Sequence, residues 1–211
     1  MKSKASIRRI IDILKDLYPD GLCSLQYEKD YELLFAVRLS AQCTDERVNK
    51  VTPALYQRFP TLKSFAEADP EEVGTYIHSC GFFNGKARDI VACAQKLLEE
   101  HGGKVPGTME ELIALPGVGR KTANLILGDV FGQSAYVCDT HCIRITGRLG
   151  ITDGSKDPLQ VERQLRVHIP AEESNNFCHR MVLFGRDTCT ARSPKCDGCP
   201  LRAECDTGKK K

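Results

Sequence analysis

A chain of 211 residues is long enough to bury a core in one or two domains. Its formal net charge of +2 excludes a polybasic coating protein, so an anionic partner has to meet a local positive face. No apolar stretch reaches membrane-spanning length, and Met1-Lys2-Ser3-Lys4 leads into a polar amphipathic segment, which makes a cytoplasmic protein without a membrane partner the expectation.

Ile7, Ile10, Ile11, Leu14 and Leu17 recur at helical spacing and predict a first helix ending before Pro19. Tyr31 to Leu39 predicts a second. Polarity then rises through Ser40-Ala41-Gln42-Cys43, and Thr44 or Asp45 caps a helix ending near Phe59-Pro60. Asp69-Pro70-Glu71-Glu72 combines a cap with proline at the first helical position, and that helix runs to Gly81. Residues 81–87 read as a turn carrying exposed aromatics. A long helix follows, with Ile90, Val91, Ala94, Leu97 and Leu98 on its core side, stopped by Gly102-Gly103. Thr108, with Glu111 three residues on, caps a short amphipathic helix to Leu115. Pro116 and Gly117 end it, Gly119 permits a tight reversal, and another helix runs from Arg120 towards Phe131. Residues 133–138 are irregular or briefly extended. Asp139-Thr140 caps a helix holding Ile143, Ile145 and Leu149, and helices near Pro158–Val167 and Asn175–Phe184 precede a cysteine-rich end and the basic tail Lys209-Lys210-Lys211. No convincing sheet emerges, so the fold class is all-α, with two subdomains: 23–132, containing the hairpin, and 133–211 together with 1–22.

The hairpin Leu115-Pro116-Gly117-Val118-Gly119-Arg120-Lys121-Thr122-Ala123-Asn124 can present backbone N–H groups at a fresh helix N-terminus, an arrangement that suits a DNA phosphate. An ordinary helix–helix corner fits the glycines equally well. A dinucleotide or Walker site does not, because no strand precedes the turn and the glycine pattern is wrong.

Eleven cysteines are many for this length, and their odd number argues against a complete disulfide framework. Cys189, Cys196, Cys199 and Cys205 lie close together, and four thiolates at this spacing can surround a 4Fe-4S cluster or a structural zinc. A fully ligated centre leaves no open metal position, so its expected role is to shape a loop. That loop carries Arg192 and Lys195, which can offer charge to phosphates. Cys23, Cys43, Cys80, Cys93, Cys138, Cys142 and Cys178 are dispersed and read mostly as small buried apolar residues.

With the hairpin, Val137-Cys138-Asp139-Thr140-His141 and the cysteine spacing in hand, the chain resembles the endonuclease III family of helix-hairpin-helix DNA glycosylases over nearly its whole length. Leu39-Ser40-Ala41-Gln42 and Gly81-Phe82-Phe83-Asn84-Gly85-Lys86-Ala87 add further matches. The resemblance implies two helical domains with the DNA groove between them, and one 4Fe-4S cluster on the four clustered cysteines. It implies a monomer, in the cytoplasm and on the nucleoid when bound to DNA, whose partner is duplex DNA with an oxidised pyrimidine or an abasic site. Its catalytic lysine falls on Lys121 and its catalytic aspartate on Asp139. The lysine favours the bifunctional branch, glycosylase and lyase, over adenine-removing relatives that generally lack it. Phe82 stands where leucine is common, and Cys138 and Cys142 flank the aspartate.

What the resemblance implies for single residues differs in sharpness. Gln42 is the candidate to fill the space of an extruded base, with a helix C-terminal cap as the alternative. Phe82 either wedges between bases or completes the core. Asp139 is a catalytic carboxylate, a helix N-cap or both. Ser40, Thr44, Thr140 and His141 line the pocket or touch DNA; Gly117, Val118 and Gly119 supply backbone contacts to phosphate; Arg144 and Lys195 are phosphate candidates that a solvated cationic face would also explain. A non-catalytic DNA-binding module and a zinc-stabilised interaction domain are the competing readings.

Overall fold

The computed structural model describes residues 2–210; Met1 and Lys211, the last lysine of the basic tail, lie outside the described residues. All regular secondary structure among the described residues is helical. No described helix is long and apolar enough to cross a membrane. The chain divides into two compact units, one of Cys23–Phe131 and one of Met1–Leu22 with Gly132–Lys211.

The first of these is organised on α2 (Asp30–Leu39), whose Leu33, Leu34, Phe35, Ala36, Val37 and Leu39 are all buried. A helix apolar on every side has to sit inside others. It packs against α3 (Asp45–Arg58), α6 (Phe83–His101) and α8 (Arg120–Asp129). Phe35, Phe59 and Phe65 form an aromatic knot with ring centroids 5.0 and 5.2 Å apart around Phe65. Phe65 comes from α4 (Leu62–Ala66), a one-turn helix capped by Thr61 that periodicity is too short to reveal. Next, α5 (Pro70–Ile77) is capped by Asp69, and a single 3-10 turn, His78–Cys80, leads to Gly81. The expected turn over 81–87 is corrected: α6 already begins at Phe83, because Phe83 lies against His78 with centroids 4.5 Å apart and draws the aromatic segment into the helix. A short α7 (Met109–Ile113), capped by Thr108, precedes α8.

In the other unit α1 (Lys4–Leu17) lays Ile7, Ile10, Ile11 and Leu14 inward and packs on α11 (Ser174–Asp187). Buried Arg180 of α11 donates to Tyr18 O and Pro19 O at 3.0 and 3.2 Å, closing off the chain after α1. Gly21 passes so near Arg180 that a Cβ would lie 2.8 Å from its Nε. Polar ties join α1 to distant segments: Lys15 with Glu173, and Ser6 and Arg9 with Glu204. Two further helices complete the unit, α9 (Thr140–Leu149), which packs on α11, and α10 (Pro158–His168). Residues 133–138 form neither helix nor strand, although Ala135 to Cys138 are buried.

Candidate functional site

In the Cys23–Phe131 unit the hairpin takes the form its glycines require. Gly117 has φ +73°, and Val118 N donates back to Leu115 O at 3.2 Å. A Cβ on Gly117 would lie 2.9 Å from both Arg38 Nε and Asp89 Cβ, which form an ion pair (Arg38 Nη2 to Asp89 Oδ2, 2.6 Å) directly beneath the turn. Gly119 is different: its φ is −101° and nothing lies within 4 Å of its Cβ position. Neither backbone strain nor packing explains glycine there. Gly119 is the N-cap of α8 and supplies no side-chain cap, so a smooth, uncapped helix N-terminus faces open space. Such an end accepts a phosphate oxygen. Gly117→Ala is expected to cost about 2 kcal/mol, since a left-handed alanine and a buried clash add, and to lower Tm by roughly 5 °C. Gly119→Ala exchanges one N-cap residue for a poorer one and is expected to lower Tm by only about 1–2 °C while weakening duplex binding; thermal melts and titration with an abasic duplex separate the two.

Lys121 sits in the first turn of α8 and is exposed, as is Arg120 before it. Gln42 and Phe82 are also exposed, Phe82 by 74 %, so Phe82 does not complete the core. Both have left-handed backbones, φ 55° and 49°, conformations that cost a non-glycine residue about 1–2 kcal/mol. Thr44 is the N-cap of α3 and accepts from Arg47 N at 3.2 Å.

In the other unit Asp139 is the N-cap of α9, and its Oδ1 accepts from Cys142 N at 2.7 Å. The carboxylate is half-buried and Thr140 beside it is exposed. His141 is seated against α11 at Gly185, where a Cβ would come within 2.3 Å of its Nδ1. Arg144, a candidate for a phosphate, has its guanidinium against Thr140 O, His141 Nδ1 and Cys189 O at 3.3, 3.1 and 3.0 Å. One turn on, Arg148 grips the same loop through Thr190 O and Ala191 O, both at 2.8 Å. Sequence reasoning missed Arg148; its signal was a second arginine four residues after Arg144, on the same helix face. Lys195 is exposed, with its backbone N–H bound to Thr188 O at 3.0 Å.

Cys189, Cys196, Cys199 and Cys205 line one small cavity of about 30 Å³, together with Leu149, Phe184 and Leu201. Two donors aim at its sulfurs: Arg148 Nη1 lies 3.4 Å from Cys189 Sγ and Gly208 N 3.2 Å from Cys205 Sγ. Burial and then the neighbouring Cys189, Cys205 and Cys196 hold the Cys199 thiol above its ordinary range. Four thiolates gathered here need a compensating cation, and the donor set fits an iron–sulfur centre, whose sulfurs accept such hydrogen bonds. The remaining cysteines are free thiols. Cys80, Cys93, Cys138, Cys142 and Cys178 are buried, whereas Cys23 and Cys43 are half-buried. Burial pushes Cys23 and Cys93 up to about 12, which makes them inert packing residues.

Residues 35–171 match the HhH-GPD superfamily of base excision DNA repair proteins. Similar proteins include endonuclease III of Synechocystis sp., 48 % identical over 96 % of this chain and 92 % of its own, and endonuclease III of Escherichia coli K12, 41 % identical over 97 % and 96 %. The chain belongs to the endonuclease III family. Endonuclease III of Bacillus subtilis is 39 % identical over the whole of this chain and 96 % of its own. Among solved structures, a trapped endonuclease III–DNA covalent intermediate superposes with a TM-score of 0.93 at 42 % identity, covering 100 % of this chain and 99 % of that one. Residues 189–205 match the iron–sulfur binding domain of endonuclease III, and the family's cofactor is one 4Fe-4S cluster.

Proposed function

We propose that this chain is a bifunctional DNA glycosylase and abasic-site lyase of base excision repair, acting on oxidised pyrimidines in duplex DNA through Lys121 and Asp139. The observation that carries the reading is an exposed lysine in the first turn of an uncapped helix behind a Gly-x-Gly hairpin, in a chain whose relatives are endonuclease III proteins. The target C1′ is hidden in a duplex, so the damaged nucleotide is extruded, with Gln42 and Phe82 entering the stack behind it. The α8 N-terminus, through Gly117, Val118 and Gly119, holds the backbone. Thr44, Thr140, His141 and Lys195 lie nearby on the DNA in this reading, and Arg144 acts by shaping the loop that carries Lys195.

The chemistry needs the Lys121 amine free of its proton, which an ordinary lysine keeps at neutral pH. Asp139 accepts or relays that proton and offsets positive charge on the sugar as the base departs. The Nζ lone pair bonds to C1′, the glycosidic C–N bond breaks, and the base leaves with the bonding electrons and takes up a proton. Opening of the sugar gives an imine. The imine acidifies the C2′ protons; loss of one, with departure of the 3′ phosphate, cuts the strand by β-elimination. Transfer of the imine to water frees Lys121.

Cys189, Cys196, Cys199 and Cys205 hold the 4Fe-4S cluster, which shapes the loop gripped by Arg144 and Arg148. Cys199→Ala is expected to give protein depleted in iron and sulfide, without the visible iron–sulfur absorption and with a lower Tm, because ligand loss uncouples cluster binding from folding. Zinc without iron or sulfide in the wild type would point to a structural zinc site instead.

The deciding experiment presents the protein with duplexes carrying one thymine glycol, one abasic site or no damage, with and without borohydride. The expected result is a trapped covalent adduct and 3′ cleavage on both damaged duplexes only. Tight binding of the abasic duplex with every strand left intact would identify a non-catalytic binding module.

A further inference from the structure

Among the described non-glycine residues, only Gln42 and Phe82 have positive φ. These are also the two side chains that enter the duplex in the reading above, on which this inference rests. A left-handed non-glycine residue persists where its surroundings over-determine it. The segments carrying the pair are joined from beneath by a single side chain. Lys86 is only 1 % exposed, and its Nζ donates to Leu39 O and to Cys80 O, each at 2.8 Å. Leu39 ends α2, three residues before Gln42; Cys80 ends the 3-10 turn, two residues before Phe82. Both carbonyls are helix-end acceptors that lack an onward partner, and an ammonium there complements the negative ends of both segments.

We propose that Lys86 is a positioning residue for nucleotide extrusion: its ammonium ties the end of α2 to the 78–80 turn and so sets the spacing of Gln42 and Phe82 against the duplex. Packing alone does not call for a lysine here. Lys86 stands four residues before Ile90 on the buried face of α6, which an apolar residue would continue at less desolvation cost. Burial pushes its pKa down, while the Cys43 and Cys80 thiols on the same two segments pull it back up. Both hydrogen-bond partners of this buried side chain belong to the two insertion segments. Because Lys86 joins two segments 47 and 6 residues away in sequence, neither can shift without breaking a buried, charge-assisted bond.

The test uses Lys86→Met, which keeps the length and loses the donors, and Lys86→Gln, which keeps N–H donors without the charge. Each is compared with wild type on a thymine glycol duplex with 2-aminopurine opposite the lesion, and on a single-stranded abasic oligonucleotide trapped with borohydride. Duplex excision is expected to fall by about 10- to 100-fold in Lys86→Met, as for a misplaced reacting group, with a smaller fall in Lys86→Gln. The 2-aminopurine fluorescence change on binding should shrink in parallel, and trapping on the single strand should stay within about twofold. In a Gln42→Ala/Phe82→Ala background, Lys86→Met should add less than about twofold, since its effect runs through those side chains. Variants with a lowered Tm but wild-type excision and fluorescence change would overturn the proposal, as would equal losses on single strand and duplex. Wild-type protein inactive on both DNAs would instead overturn the function reading itself.

Discussion

Lys121→Gln is expected to abolish the borohydride-trapped adduct and to lower both base release and strand cleavage by about 10⁴-fold or more, on the scale of losing a covalent nucleophile. Glutamine keeps a polar side chain of similar reach, but the lone pair of its amide nitrogen is delocalised and cannot form an imine. One change thus removes glycosylase and lyase steps together. Lys121 is exposed in the first turn of α8, so the fold should not register the substitution beyond about 0.5 kcal/mol. Binding to an abasic duplex should survive, because in the proposed reading the hairpin holds phosphate with backbone groups and not through Lys121. The cluster's visible absorption and the Tm serve as folding controls. Adduct formation by Lys121→Gln at the wild-type rate would place the nucleophile elsewhere. Lys86 is not the substitute, since its Nζ is buried and bound to two carbonyls.

Asp139→Asn is expected to lower excision by about 10²- to 10⁴-fold with no change in Tm. Asp139 caps α9 through a 2.7 Å bond from Cys142 N, and asparagine caps a helix about as well as aspartate. The substitution therefore retains the cap and deletes the charge and the basic oxygen. Asp139→Ala removes both, adding a loss of about 1 kcal/mol and roughly 2–4 °C in Tm. The pair of variants separates the structural role from the chemical one. If Asp139→Asn excised thymine glycol as fast as wild type, the carboxylate would be a cap and nothing more.

Arg144 and Phe82 show why some site residues were legible in sequence and others were not. Phe82 reads equally well as core or as wedge, because an aromatic beside a turn satisfies either; its 74 % exposure depends on Phe83 taking the packing position against His78. Arg144 reads as a cation on a helix face, and no local pattern shows that the face is turned to Cys189 O. Lys86 stood in a recognised stretch, yet nothing short-range reveals a bond to a carbonyl 47 residues earlier. Its one signal was a charge on an otherwise apolar stripe.

The caps at Asp69, Thr108 and Asp139, the breaks at Gly102 and Gly117, and the four-cysteine spacing were determined by sequence alone, whereas the structure chose Thr44 over Asp45 as the cap of α3. Each is a local matter of φ, of a side chain reaching the backbone two or three residues on, or of ligands on one short loop. The same holds for the Gly-x-Gly turn that leads into Lys121. Tertiary structure alone decided that α1 packs with α11 and is tied to Glu204, that Arg144 and Arg148 serve the cysteine loop, and that the segments of Gln42 and Phe82 share one buried ammonium. Those contacts join residues far apart in the chain, where hydrophobic periodicity says which face is buried but not what it is buried against.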